Sequence, residues 1–281
     1  MPVLSLIGCK ILEDEITHVI SKYIENTRLV LIDDRESLDL ARKLKTQDVP
    51  FSVTPIDRIN DYICFSGPGT VKKRVMSLIG KECTDDIVVV IKIMPLGLHV
   101  DSGSLKSVVS RQVALMSEFS DSILLFYGLC GNALKDVGKD TCKSSVPLYT
   151  LRDKEGERVD DCISTALGGN RKYEEELKKW NDTATLYFTP LWAANWKDMK
   201  DISPSAEKMS EYQYSFKIGR VIKLDTGLKF EKDFEENMSE LAKKFNVETI
   251  DVKGNTDIVE NCYLEAKKKL LLKPNEEYAK T

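Results

Sequence analysis

The stretch Ile87–Met94 reads Ile-Val-Val-Val-Ile-Lys-Ile-Met, and it restricts the fold more than any other part of the chain. β-Branched side chains are stiff at χ1 and suit a pleated surface better than a helix. Apolar and polar residues do not alternate here, so a strand must be buried on both faces. That predicts a central strand in a sheet covered by helices on both sides. Residues 3–8, 29–32 and 123–127 repeat the pattern, and 146–151, 184–189, 220–224 and 247–252 read as further strands.

Between these runs the apolar period changes to that of a helix. Leu12, Ile16, Val19, Ile20, Tyr23 and Ile24 fall mostly three or four apart, a stripe that faces a core. Helices are expected over 36–44, 71–81, 105–119, 171–180, 206–218, 231–246 and 257–272, with a short one opening at Cys162 and stopping at Gly168-Gly169. Residues 48–70 are broken by Pro50, Pro55 and Ser66-Gly67-Pro68-Gly69 and read as a loop region with room for one short element. Strands alternating with helices imply an α/β, Rossmann-like fold with one or two mainly parallel sheets. It would be one continuous unit over 1–281, or two lobes meeting near 195–205. Such sheets bind ligands beyond the carboxyl ends of their strands.

Charge and hydropathy exclude several classes. Lys and Arg number 41 against 45 Asp and Glu, a net charge of -4, which argues against nucleic acid as a partner. No apolar run approaches the ~20 residues of a membrane span. Leu6-Ile7-Gly8-Cys9 has the small-residue pattern of a lipidation site. It lacks a basic region and a long apolar one, so it reads as a buried strand ending at Cys9.

Seven cysteines are spread widely: Cys9, Cys64, Cys83, Cys130, Cys142, Cys162 and Cys262. A disulfide scaffold would be shorter and denser, so the thiols are expected reduced, in the cytoplasm. Three of them share one kind of position. Cys9 ends the first strand, Cys130 follows the strand at 123–127, and Cys162 precedes a helix. If the strands are neighbours, the thiols meet in one cleft. A helix N-terminus would favour thiolates there, the form that binds zinc or iron. Gly128 and Gly131 would let backbone approach a ligand, and Asn132 and Trp192 are further binding candidates. His99 follows the strand Ile87–Met94, and Glu13 lies on the inner side of the first helical turn; either could be a fourth ligand, and Glu13 could be a general base. His18 falls opposite the apolar stripe and is expected in solvent. Ser66–Thr70 lacks the ending of a phosphate loop and reads as a turn. A nucleotide site would rest on fold analogy alone. The remaining cysteines read as packing residues, and Lys267-Lys268-Lys269 as a solvated helix end.

Several of these segments resemble one family. Ile7-Gly8-Cys9 with Glu13-Asp14-Glu15-Ile16, Phe126-Tyr127-Gly128-Leu129-Cys130-Gly131-Asn132, and Asp161-Cys162-Ile163 with Leu167-Gly168 and Tyr173 carry the likeness. Tyr187-Phe188-Thr189-Pro190 with Trp192, and 222–227, complete it. The family is domain of unknown function 1638, found mostly in methanogenic archaea and anaerobic bacteria. This chain has Leu191 and Ala133 where the family commonly has Gly, which narrows backbone freedom beside the cleft. The family's genes often lie beside those of corrinoid-dependent methyltransferases, so the resemblance implies anaerobic one-carbon metabolism.

The combined expectation is a metal held by Cys9, Cys130 and Cys162. A zinc ion, favoured on general abundance, would activate a substrate thiol as methyl acceptor. A [4Fe–4S] cluster would keep one iron free for a ligand or redox work. The partners would be a small molecule or a methyltransferase or corrinoid protein. The alternative is an accessory binding module of a corrinoid-dependent methyltransferase system, with its cysteines only packed.

Overall fold

The computed structural model describes residues 1–64, 87–138, 146–197 and 218–272. In chain order the elements are β1 Val3–Cys9, α1 Glu13–Lys22, β2 Thr27–Ile32, α2 Ser37–Thr46, β3 Ser52–Thr54, α3 Ile59–Cys64, β4 Ile87–Met94, α4 Ser102–Ser117, β5 Ser122–Phe126 and β6 Leu148–Thr150. Then follow α5 Cys162–Leu167, α6 Asn170–Lys179, β7 Ala184–Phe188, α7 Pro190–Ala194, β8 Ile218–Asp225, α8 Phe234–Phe245, β9 Glu248–Lys253 and α9 Asp257–Leu272. The first six strands make one all-parallel sheet in the order β3-β2-β4-β1-β5-β6. The protein is therefore α/β and Rossmann-like.

β4 takes the inner position that its composition predicts. Val89 pairs with Leu4 of β1 on one side and Leu29 of β2 on the other. Its side chains divide between two cores. Val89, Ile91 and Ile93 pack with α1, α2 and α9, while Val88, Val90 and Met94 pack with α3 and α4. Burial on both faces is the reason that this strand shows no alternation in sequence. The polar Ser5 of β1 is fully buried, and its hydroxyl meets that of Ser120 at 2.6 Å.

β7, β8 and β9 form a second parallel sheet in that order. α8 covers one face through Phe234, Met238 and Leu241, and α5 covers the other through Ile163, Ala166 and Leu167. The change of sheet thus falls between β6 and β7, ahead of residues 195–205. α9 then returns to the large sheet, where Ile258, Val259, Tyr263 and Leu270 join the core of α1 and α2.

Some segments differ from the sequence reading. The stretch expected to be a loop with one short element holds two, β3 and α3; Pro50 and Pro55 bracket β3, so only three residues can pair, at the sheet edge. His18 is not in solvent: its Nε2 lies 2.8 Å from Glu260 of α9. Glu260 also accepts from Lys22, Tyr23 and Thr256. Burial alone would raise its pKa, but these donors outweigh it and hold the carboxyl well below the usual range. Lys267 is no solvated end either, since its Nζ donates to the Tyr23 carbonyl and the Thr27 hydroxyl, both at 2.9 Å. The helices expected at 71–81 and over most of 206–218 lie outside the described residues. Among the described residues no helix is long and apolar enough to cross a membrane.

α1 opens with Glu13, Asp14 and Glu15, all buried. Acidic groups suit a helix N-terminus, but so much buried charge needs a cation. Lys43 of α2 supplies it, 2.9 Å from Glu13, 2.6 Å from Asp14 and 2.6 Å from Glu231, which precedes α8. Lys43→Met should therefore cost about 3 kcal/mol in urea unfolding, because it leaves the buried Asp14 carboxylate without its cation and Glu13 with Lys10 alone. A loss below about 1 kcal/mol would show that the cluster is not held by this lysine.

Candidate functional site

β1 is hydrogen-bonded between β4 and β5, so the carboxyl ends of the three strands lie side by side. Cys9 is the last residue of β1, Pro95 and Leu96 follow β4, and Tyr127 to Cys130 follow β5. These residues line a cavity of about 580 Å3. Its other wall comes from the second sheet and its helices: Ile163, Tyr173, the segment 185–188, Trp192, and Asp161 with Cys162. Ile11, Leu96 and Leu191 close the seam between the two sheets beside Cys9, Cys162 and Trp192. Leu191, where the family commonly has Gly, thus fills space next to two of the thiols.

The loops that carry the cysteines are pinned to each other. Cys130, Gly131 and Asn132 have φ of 48°, 65° and 67°, three left-handed residues in succession. For a residue with a Cβ this costs roughly 1–2 kcal/mol, so the loop has to be held. Leu129 N donates to Val159 O at 2.9 Å, and Cys130 N to Asp160 O at 2.7 Å. Gly128 makes this approach possible, since a Cβ there would lie 2.5 Å from the Asp161 Cα. Gly128 also lines the cavity, so its backbone is open to a ligand there as well as to Asp161. Asp161 caps α5 by accepting from Ser164 N at 2.8 Å. Asn170 ties the same loop through Asp160 N, Ser164 Oγ and Arg158 O.

The thiols are less acidic than their positions suggested. Burial pushes Cys9 up to about 11 and Cys130 up to about 12, and raises Cys162 well above its ordinary value. Desolvation overrides the expected benefit of a helix N-terminus, which is small for a helix of only six residues. Hydrogen bonds oppose the rise. Ile11 and Leu12 N–H and the Tyr127 hydroxyl face the Cys9 sulfur, Gly128 N–H faces that of Cys130, and Trp192 Nε1 donates to Cys162 Sγ at 3.2 Å. Cys9 also raises Cys130, and both raise Cys162, because an ionised sulfur would repel the next. A cation among them would favour the thiolate at all three. Among the described residues no group of three or more His, Cys, Asp or Glu is gathered tightly enough to hold a metal ion. The cysteines share a cavity without closing around one point.

The other candidates separate clearly. Glu13 does not line the cavity; Lys10 at 2.5 Å and Lys43 hold its carboxylate, which removes it as fourth ligand or base. Gly131 and Trp192 line the cavity, whereas Asn132 is exposed and serves the left-handed turn. His99 lies in the turn Leu96–Val100, and its side chain is outside the described residues. Cys262 is buried against the Arg152 backbone as a packing residue. Cys83, Cys142 and Ser66–Thr70 lie outside the described residues. Five residues enter with no role assigned to them from sequence: Tyr127, Asp161, Tyr173, Tyr187 and Glu15. All five sit inside the segments that carry the family likeness. Glu15 is buried with Oε2 unpartnered, and burial together with the Asp14 charge lifts it to about 8.

Fold and cavity together define a parallel α/β protein that sets three thiols beyond the ends of its central strands. The chain belongs to the family of proteins of unknown function DUF1638, whose model matches residues 93–263. The match includes Cys130, Cys162 and Trp192 and begins after Cys9. No protein with a curated description matches the chain.

In the metal-free protein at pH 7.5, Cys9, Cys130 and Cys162 should alkylate at least about 100-fold more slowly than free cysteine, read residue by residue in a mass spectrometer. Rates near that of free cysteine would contradict their burial. Between pH 4.5 and 8 the folded state keeps a Glu15 proton that the unfolded chain has released, so stability falls as pH rises through that window. Glu15→Gln should flatten the fall in urea midpoint from pH 5 to pH 8; an unchanged slope would assign it elsewhere.

Proposed function

We propose that the cavity is a three-thiolate metal centre and that it holds an iron–sulfur cluster on Cys9, Cys130 and Cys162. The observation that carries this reading is the convergence of three thiols, from three distant parts of the chain, on one cavity. Each sulfur also faces an N–H or O–H donor, the kind of partner that stabilises a coordinated thiolate and tunes its centre. The all-thiolate donor set is common to zinc and to a cluster, and the cluster asks less of the cysteines' spacing: with Zn–S bonds of about 2.3 Å, a tetrahedral ion needs its sulfurs about 3.8 Å apart. In a cubane cluster each cysteine binds a different iron, so the sulfurs stand farther apart around a shared space.

When bound, a cluster on three cysteines supplies one iron with an open position and one-electron chemistry. The chain's own groups do the rest. Tyr127 and Trp192 orient the sulfurs of Cys9 and Cys162 by hydrogen bonds. Leu96, Ile11 and Leu191 keep water from the seam. The one-carbon setting and the corrinoid partner rest on the family resemblance.

One observation favours a second reading. Burial holds all three thiols neutral, as it would for packing residues, and this suits an accessory binding module without a metal. Anaerobic reconstitution with ferrous iron and sulfide separates the two. The cluster reading expects about four irons per chain and a broad visible charge-transfer band, both lost in Cys9→Ser, Cys130→Ser and Cys162→Ser with circular dichroism unchanged. A folded chain with less than about a tenth of an equivalent of any transition metal would leave the packing reading. One equivalent of zinc on the same cysteines would replace the cluster by an ion.

A further inference from the structure

We propose that the part of the cavity beyond the thiols binds a compact organic cation, a methylated ammonium group. This rests on the reading of the cavity as the functional site and names the class of ligand that it takes. The volume of about 580 Å3 is that of a small-molecule site. The walls give the ligand's chemistry. Tyr127, Tyr173, Tyr187, Phe188 and Trp192 contribute aromatic surface. Tyr173 and Tyr187 meet edge to face, with centroids 5.8 Å apart at 87°, and both pack with Trp192 and Cys162 around α5.

No lysine, arginine or histidine is among the described residues that line the cavity, and its one carboxylate is Asp161. A phosphate or carboxylate ligand would be buried there with no opposite charge, which is strongly unfavourable. A purely apolar guest would leave Asp161 facing it with nothing gained. A primary ammonium would have to leave water and find an acceptor for each of its N–H groups. A methylated ammonium needs none: its charge is spread over methyl groups that fit against aromatic faces, and a nearby carboxylate balances it. Three thiolates around a dication would leave the centre net negative, which attracts the same ligand.

Choline and its uncharged isostere 3,3-dimethylbutan-1-ol separate charge from shape, and inorganic phosphate tests the opposite charge. All three are titrated by calorimetry into the full chain, before and after anaerobic reconstitution. Choline should bind at least about tenfold more tightly than the isostere, with no phosphate binding. Asp161→Asn, which retains a residue able to cap α5, and Tyr173→Leu should each weaken choline about fivefold or more, with circular dichroism unchanged. Equal binding of choline and the isostere, tighter phosphate binding, no binding of any probe, or choline binding untouched by both substitutions would overturn the proposal. The metal reading fails separately: choline binding in a chain that takes up no iron removes the cluster and keeps the cation site. A loaded cluster with no preference for choline does the reverse.

Discussion

The pairing of β1 between β4 and β5 is the constraint on which the rest of the molecule depends. It is a parallel arrangement, so all three strands deliver their carboxyl ends to one edge. Parallel strands need long crossovers, and the crossover helices bury both faces of the sheet. The edge beyond the strands is where backbone leaves regular pairing and side chains can turn toward a shared space. Cys9, Leu96 and Tyr127 are there because their strands end there. The second sheet then closes the space from the other side, through Phe188, Trp192 and α5.

Electrostatics within that space is decided by burial more than by local helix geometry. Each thiol is offered hydrogen-bond donors, yet desolvation at all three, with repulsion from neighbouring sulfurs at Cys130 and Cys162, keeps them protonated in the absence of a cation. This is the behaviour of groups poised to change state together. A single positive charge among them would favour the thiolate at three sites at once. The acidic residues of α1 show the contrast. Glu13 and Asp14 carry similar burial, and Lys43 answers it directly, so that cluster is closed while the cavity is open.

Much of the sheet was legible because two-sided burial leaves a plain mark, as in β1 and β4. β3 was not, because three residues between prolines carry no pattern. The meeting of Cys9 and Cys130 could be read from strand ends, whereas Cys162 reaches the cavity as the first residue of α5, well after β6 ends at Thr150. Their acidity could not, since desolvation depends on walls that come from β7 and α7. Glu13 points inward as its place on the helix implies, but its partner is Lys43 on another helix. Gly128 lines the cavity as a ligand-facing glycine would, but the Asp161 backbone that it also admits comes from a loop distant in sequence. His18 and Lys267 looked solvated because α9 and the α1–β2 turn that receive them are distant in sequence.

The central claim is that the three cysteines act as one site. Residue-resolved alkylation of the anaerobically reconstituted protein tests it most directly. The account predicts that Cys9, Cys130 and Cys162 are protected together and released together when a chelator strips the metal, with Cys262 unaffected. Protection of the three at unrelated chelator concentrations, or of none of them, would contradict it.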